Sequence, residues 1–205
     1  MHIYSQFVPK FVSCYLTFSS HDQERRFHSQ LSKRSLLGLH PKLVGCILPS
    51  MQIHLISVGN RMPGWVKSGY DEYAKRLPRE CELLLREILP GQRGKNCDVV
   101  RSIKEEGDRM NAAIPANAHV VALDLAGKQW TTPDLALALG RWLTIGKPIA
   151  LLIGGPDGLA DAAKARAVES WALSPLTFPH PLVRIIVAEQ LYRAWSILHN
   201  HPYHR

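Results

Sequence analysis

From residue 51 onward, short apolar runs typical of β-strands alternate with segments whose apolar residues repeat every three or four positions, as in amphipathic helices. The short runs predict strands at residues 52–58, 82–89, 119–125, 149–153 and 170–173. The segments between and after them predict helices at residues 65–77, 99–113, 132–144, 160–167 and 181–199, with Asp98 capping the second and the hydroxyl of Thr132 the third. This alternation predicts an α/β fold with a mainly parallel sheet flanked by helices on both sides.

The first fifty residues differ in composition from the rest of the chain. They hold six Lys or Arg and two acidic residues, which makes +4 of the net charge of +8, and they are rich in serine. An organellar transit peptide has a similar composition. A true start at Met51 explains the segment better, because Met51 opens the first predicted strand. We therefore expect residues 1–50 to be a disordered extension or a mis-assigned start, and residues 51–205 to form one domain.

Composition and charge narrow the class of protein. The chain has 205 residues, of which 46% are hydrophobic, so it can bury a sizeable core and is unlike disordered or fibrous sequences. A sequence pI near 9.5 favours a polyanionic partner such as nucleic acid. The four cysteines lack zinc-finger spacing, which indicates reduced thiols in a cytoplasmic protein. A membrane-spanning helix needs about 18 consecutive apolar residues, and the sequence contains no such run, so no membrane span is predicted.

A glycine-rich segment, Gly-Gly-Pro-Asp-Gly at residues 154–158, directly follows the fully apolar strand pattern at 149–153. Ligands of parallel sheets bind beyond the carboxyl ends of the strands, so the turns after Leu123, Ile153 and Leu173 are where a site is expected. Paired glycines let the backbone approach a ligand closely, although a tight turn without a ligand uses the same residues. The spacing matches neither the dinucleotide-binding nor the P-loop pattern.

Three prolines stiffen the segment at residues 173–181. A stiff loop with apolar side chains and free backbone polar groups suits a flat heterocycle, because little flexibility is lost on binding, although a plain connector fits as well. His180 within this segment is either a helix cap or a general base.

The chain ends in a segment rich in histidine, residues 199–205, which also holds a tyrosine and an arginine. A metal site would require buried ligands supported by further hydrogen bonds, which a chain end rarely offers, so we expect no metal here. The end of the chain either frays or folds over a site to contact phosphate or base.

Four segments together resemble one family: LLIGGPDGL at 151–159, LTFPHPLVR at 176–184, EQLYRA at 189–194 and HPYHR at 201–205. They are similar to the bacterial methyltransferases that modify N3 of a pseudouridine in helix 69 of 23S ribosomal RNA, which belong to the SPOUT, or α/β-knot, superfamily. The resemblance covers residues 51–205, and as a set these motifs are highly specific. It implies a C-terminal trefoil knot, S-adenosylmethionine as cofactor, and a homodimer whose active sites lie at the subunit interface.

The resemblance also implies site residues by motif position. The cofactor pocket would use residues at the three strand ends: Leu123, Gly154, Leu173, Ser174, Pro175, Leu176, Thr177 and Phe178. N3 of a pseudouridine carries a proton at neutral pH, so the reaction needs a group that accepts this proton or stabilises the developing anion. The candidate catalytic residues are His180, Tyr203, His204 and Arg205, the last three reaching in from the partner subunit. The candidate contacts to RNA phosphates are Arg93, Lys95 and Arg184.

The implied partner is 23S ribosomal RNA within the assembled ribosome, and the implied location is the cytoplasm. No metal is needed, because the methyl group of a sulfonium is already a strong electrophile. Two other interpretations fit the same residues. One is a non-catalytic RNA- or ribosome-binding module with this fold, and the other is a small-molecule α/β enzyme that binds a phosphate at Gly154 and Gly155.

Overall fold

The computed structural model describes residues 50–94 and 98–205, so the predicted extension, apart from Ser50, lies outside the described residues. Five strands alternate with five helices along this part of the chain. In order they are β1 (Met51–Val58), α1 (Gly64–Ala74), β2 (Cys81–Ile88), α2 (Val99–Ala113), β3 (His119–Gln129), α3 (Thr132–Ile145), β4 (Ile149–Ile153), α4 (Asp161–Lys164), β5 (Glu169–Ala172) and α5 (His180–Leu198), followed by a short 3-10 helix (Pro202–His204).

The five strands form one sheet in the order β2-β1-β4-β3-β5, and every pair in it is parallel. The central strand β4 is buried at all five of its positions, as its uninterrupted apolar sequence Ile-Ala-Leu-Leu-Ile requires. The prediction of a mainly parallel sheet is confirmed.

Helices cover both faces of the sheet, as predicted. On one face, Ile53, Leu55 and Leu151 share a buried core with residues of α1, α3 and α5. On the other face, Ile56 and Leu152 pack with residues of α2 and α4. Successive side chains of a strand point to opposite faces, so apolar residues at adjacent strand positions supply both cores.

Several predicted element boundaries were wrong. Strand β3 extends to Gln129, four residues beyond the prediction, because its second half pairs with β5 after a shift of register between Leu123 and Lys128. Helix α4 spans only four residues. Helix α3 is capped by Thr131 rather than Thr132, since the Thr131 hydroxyl accepts from the Asp134 backbone nitrogen at 3.3 Å. In turn, a carboxylate oxygen of Asp134 accepts from the Thr131 nitrogen at 3.0 Å, which completes a capping box.

The register of the parallel strands brings their carboxyl ends to one edge of the sheet. Ile153 of β4 lies beside Ser57 of β1 and Leu123 of β3, and Leu123 in turn lies beside Trp171 of β5. The chain segments that leave β4 and β5 therefore begin near Leu123, at the edge where the sequence predicted a site. The predicted turn after Leu123 was wrong, because β3 continues to Gln129.

Candidate active site

A cavity of about 580 Å³ opens beside Leu123, Asp124 and Leu125 within β3, where the segments that follow β4 and β5 meet. We call it the strand-end cavity. It is lined mainly by apolar side chains and by the backbone of the glycine-rich turn: Leu123, Asp124, Leu125, Ile153, Gly154, Gly155, Pro156, Gly158, Leu159, Lys164, Trp171, Leu173, Ser174, Leu176, Thr177, Phe178, Pro179, His180 and Val183. Every residue that the resemblance assigned to the cofactor lines this cavity except Pro175, which lies in the same loop.

The glycine-rich turn at residues 154–158 forms one wall of the cavity. It closes on itself, since the Gly158 nitrogen donates to the Gly155 carbonyl oxygen at 3.0 Å and Gly158 adopts a φ of +87°. A Cβ on Gly154 would lie 2.7 Å from the Leu159 nitrogen and closer still to the Gly158 carbonyl group. The turn itself therefore requires glycine at 154, so the close-approach argument for a ligand is not needed to explain this residue.

The proline-rich loop forms another part of the wall. The Ser174 hydroxyl accepts from the Leu176 backbone nitrogen at 3.0 Å, which folds the loop locally, while the Leu176 side chain is 68% exposed. Trp171, at the end of β5, is buried beneath the loop. An exposed leucine above buried apolar side chains gives this wall an apolar surface that a flat ring could contact.

His180 lines the cavity and is the first residue of α5. The helix is capped by Pro179, so the alternative role of His180 as a helix cap was wrong. Burial lowers the pKa of His180, and the positive charges of Arg184 and Arg93 lower it further. The imidazole is therefore largely uncharged at neutral pH, the state in which it can accept a proton.

The other candidate catalytic residues do not lie at this cavity. Tyr203 and His204 belong to the 3-10 helix that packs on α5, and neither they nor Arg205 is among the residues that line the cavity. The Tyr203 hydroxyl donates to Glu189 Oε1 at 3.1 Å, and the guanidinium carbon of Arg193 lies 5.1 Å from the centre of the Tyr203 ring. Within one subunit the structure thus separates His180 from the C-terminal residues.

Burial and the neighbouring Glu189 carboxylate raise the pKa of Tyr203 to about 12. Its hydroxyl group stays protonated at neutral pH and acts as a hydrogen-bond donor. His204 Nδ1 lies 2.5 Å from the carbonyl oxygen of His201, so this nitrogen already has a partner in the chain end itself.

The structure contradicts the prediction of Arg184 as an RNA contact. Its side chain is 1% exposed and lies beneath the end of β1. It donates to Ser57 Oγ at 3.0 Å, to Glu87 Oε1 at 2.7 Å, and to the carbonyl oxygens of Val58 and Gly59 at 3.2 and 2.6 Å. With its donors taken and its surface covered, Arg184 joins α5 to the sheet and has no access to a phosphate.

The two other predicted RNA contacts are Arg93 and Lys95, and the structure describes only the first of them. Arg93 is 32% exposed and forms ion pairs with Glu106, at 2.7 Å, and with Asp157. Lys95 lies outside the described residues. So do Cys14, Cys46 and Cys97, whereas Cys81 is fully buried in β2, and burial raises the pKa of its thiol to about 12.

Sequence reasoning missed several residues around the site. Asp124 and Lys164 both line the cavity and form an ion pair at 2.5 Å. The carboxylate of Glu106 binds Arg93, and the carboxylate of Glu189 accepts a hydrogen bond from Tyr203. The only signal for Glu189 in the sequence was its place in the EQLYRA motif. Glu106 gave no signal, because it is one of several charged residues on the polar helix α2.

In the part of the chain that the structure describes, no three His, Cys, Asp or Glu side chains lie close enough together to hold a metal ion. Across the same residues, no helix combines the length and the apolar character needed to cross a membrane.

Residues 51–204 match the family model described as "Predicted SPOUT methyltransferase". The chain belongs to the SPOUT methyltransferase family. Over 155 residues, it is 64% identical to the ribosomal RNA large subunit methyltransferase H of Methylococcus capsulatus (strain Bath), a match that covers 76% of this chain and all of the relative.

Two solved structures resemble the fold more distantly. A probable methyltransferase from Bordetella pertussis Tohama I has a TM-score of 0.45 at 14% identity, and the match covers 71% of this chain and 97% of the other. A probable methylase family protein from Haemophilus influenzae has a TM-score of 0.45 at 12% identity, covering 75% of this chain and 69% of the other.

Proposed function

We propose that this protein transfers a methyl group from S-adenosylmethionine to N3 of a pseudouridine in helix 69 of 23S ribosomal RNA, within the assembled ribosome. The observation that carries the proposal is the strand-end cavity, which is lined by nearly all the residues that the resemblance assigned to the cofactor and has an uncharged histidine at its wall. Membership of a methyltransferase family, and high identity to a relative named for large-subunit ribosomal RNA, support the reaction and the substrate.

The cavity suits the proposed cofactor in size and chemistry. Small-molecule sites typically enclose about 300–1,000 Å³ and are mostly apolar with a few polar groups, and this cavity has about 580 Å³. Leu176, Phe178 and Leu173 would enclose the adenine ring, while backbone groups of the proline-rich loop and the glycine-rich turn would bind its edge. When bound, S-adenosylmethionine supplies an electrophilic methyl group on a sulfonium.

His180 is the group that we assign to proton removal. The N3 position lies between two carbonyl groups and must lose its proton before or during attack on the methyl group. An uncharged imidazole at the cavity wall can accept that proton, and burial with the nearby arginines keeps it uncharged. A rigid cavity wall also fixes the relative position of donor and acceptor, which accounts for much of the rate in such transfers.

The position of the C-terminal residues supports a homodimeric enzyme. Tyr203, His204 and Arg205 lie away from the strand-end cavity of their own subunit. We propose that a second copy of the chain brings its own C-terminal residues to this cavity, where a tyrosine hydroxyl, a histidine and an arginine would contact the RNA. The trefoil knot and the cytoplasmic location implied by the resemblance are part of the same proposal.

Methyl transfer to ribosomes tests the proposal. Assembled ribosomes from cells that lack the endogenous activity should acquire one radiolabelled methyl group per large subunit from S-adenosyl-[methyl-³H]methionine, on a pseudouridine of helix 69. The variant His180→Asn should bind the cofactor but transfer the methyl group far more slowly. If folded protein binds ribosomes without transferring label, the chain is instead a non-catalytic binding module.

A further inference from the structure

We propose that Arg93 is a positioning residue that fixes the wall of the strand-end cavity, rather than a contact to RNA. Arg93 Nη2 pairs with Glu106 of α2 at 2.7 Å, and Nη1 pairs with Asp157 of the glycine-rich turn. We call these three residues the Arg93 cluster. The inference deepens the proposed function and rests on it only for the identity of the cavity's ligand.

One side of the Arg93 cluster is held rigidly by α2. Glu106 is 3% exposed, and its Oε1 also accepts from the Gly91 backbone nitrogen at 2.8 Å. The loop and the helix pack so closely that a Cβ on Gly91 would lie 2.6 Å from Ser102 Cβ, and the Ser102 hydroxyl donates to the Gln92 carbonyl oxygen at 2.7 Å. The two residues that precede Arg93 in its loop are thus attached to α2.

The other side of the Arg93 cluster supports the cavity wall. A Cβ on Gly155 would lie 3.1 Å from Glu106 Oε2 and 3.2 Å from Arg93 Nη2, so the turn packs directly against the ion pair. Gly155 itself lines the cavity, as do its neighbours Gly154 and Pro156. The backbone of the turn therefore lies between the Arg93 cluster and the strand-end cavity, and its position depends on the cluster.

The hydrogen-bond donors of the Arg93 guanidinium are mostly occupied, which disfavours a contact to an RNA phosphate. Both terminal nitrogens of its guanidinium are engaged by carboxylates, and one of these carboxylates is buried. A phosphate would have to displace Asp157 or leave Glu106 buried without its partner, and the second change is costly. The charge of Arg93 instead acts inward, where it helps to lower the pKa of His180.

Calorimetric titration with S-adenosylmethionine, combined with ribosome binding at several salt concentrations, tests the proposal. Asp157→Asn removes the more exposed arm of the Arg93 cluster and leaves Glu106 paired, so the fold should survive. We expect it to weaken cofactor binding about fivefold, and Arg93→Gln to weaken it about tenfold. The double variant should bind no more weakly than Arg93→Gln alone, because the two changes remove the same contact.

The matched control is Arg101→Gln. Arg101 lies on α2, as Glu106 does, but its side chain is 78% exposed and pairs with Glu105. It should leave cofactor affinity unchanged, and all three single variants should keep the wild-type salt dependence of ribosome binding. The proposal is overturned if folded Asp157→Asn and Arg93→Gln bind the cofactor like the wild type. The same conclusion follows if Arg93→Gln lowers the salt slope by about one, the signature of a lost phosphate contact. A wild-type protein that does not bind S-adenosylmethionine would instead refute the proposed function.

Discussion

Arg184 Nη2 donates to the carbonyl oxygen of Gly59 at 2.6 Å, which joins the second turn of α5 to the backbone just beyond β1. The same guanidinium also bonds Ser57 and Glu87. It therefore fixes the start of α5, and with it His180, relative to the carboxyl edge of the sheet.

Replacing Arg184 should mainly reduce stability. Arg184→Met leaves the acceptors at the end of β1 without donors, so we expect the free energy of unfolding to fall by about 3 kcal/mol. Urea denaturation measures this, with Arg101→Met as the exposed control. An unchanged stability together with a weaker, less salt-dependent affinity for ribosomes would restore Arg184 as an RNA contact.

Gly154→Val should damage the glycine-rich turn before any ligand is involved. A Cβ at 154 meets the backbone of Gly158 and Leu159, so we expect a loss of about 1–3 kcal/mol in stability together with weaker cofactor binding. Gly64→Ala is the control, because a Cβ there has no atom within 4 Å and α1 begins at this residue. Thermal melting and calorimetry check both variants. A Gly154→Val protein as stable as the wild type would disprove this account of the turn.

His54 should make the fold less stable in mild acid. It is 5% exposed on β1, where burial and the charge of Arg86 lower its pKa from the ordinary 6.5. The unfolded chain therefore takes up a proton at a higher pH than the folded chain, so stability is full above pH 6.5 and falls as the pH decreases below it.

Chemical denaturation between pH 7.5 and 5.5 measures the contribution of His54. His54→Leu should flatten this dependence, leaving the part that His180 contributes in the same direction. Equal pH dependence in wild type and His54→Leu would contradict the prediction.

Tyr203→Phe should slow methyl transfer without changing how the rate depends on pH. The variant loses the hydrogen bond to Glu189 that positions the chain end, and we expect a three- to tenfold fall in turnover, about what one such bond contributes. Because the pKa of Tyr203 is about 12, its ionisation does not shape the profile near neutrality. Cofactor affinity should stay the same. If the rate of methyl transfer by Tyr203→Phe no longer changed with pH on one side of the optimum, the Tyr203 hydroxyl itself would titrate in the reaction.

A chain that begins at Met51 should match the full chain in melting temperature and in methyl transfer. Strand β1 begins at Met51, whose side chain is 3% exposed, and the family match begins at the same residue. Differential scanning calorimetry of the two chains provides the comparison. A large loss of stability in the shorter chain would show that residues 1–50 contribute to the fold.

The sequence by itself determined the order of the elements and the edge of the sheet at which the strand-end cavity lies. Uninterrupted apolar runs such as residues 149–153 predict buried parallel strands, and the carboxyl ends of parallel strands meet at one edge whatever the details of packing. The segments after Ile153 and Leu173 could therefore be assigned to one edge of the sheet from their positions in the chain alone, whereas β3 continues past Leu123 to Gln129.

Only the tertiary structure decided what the charged side chains do. Arg184 and Ser57 are 127 positions apart in the chain, and Arg93 and Asp157 are 64 apart, so no local pattern relates the members of either pair. Whether an arginine lies at the surface or within the protein depends on which distant segments fold against it. The separation of Tyr203 from His180, by contrast, follows from the helix predicted between them, because the 19 residues of α5 span about 28 Å.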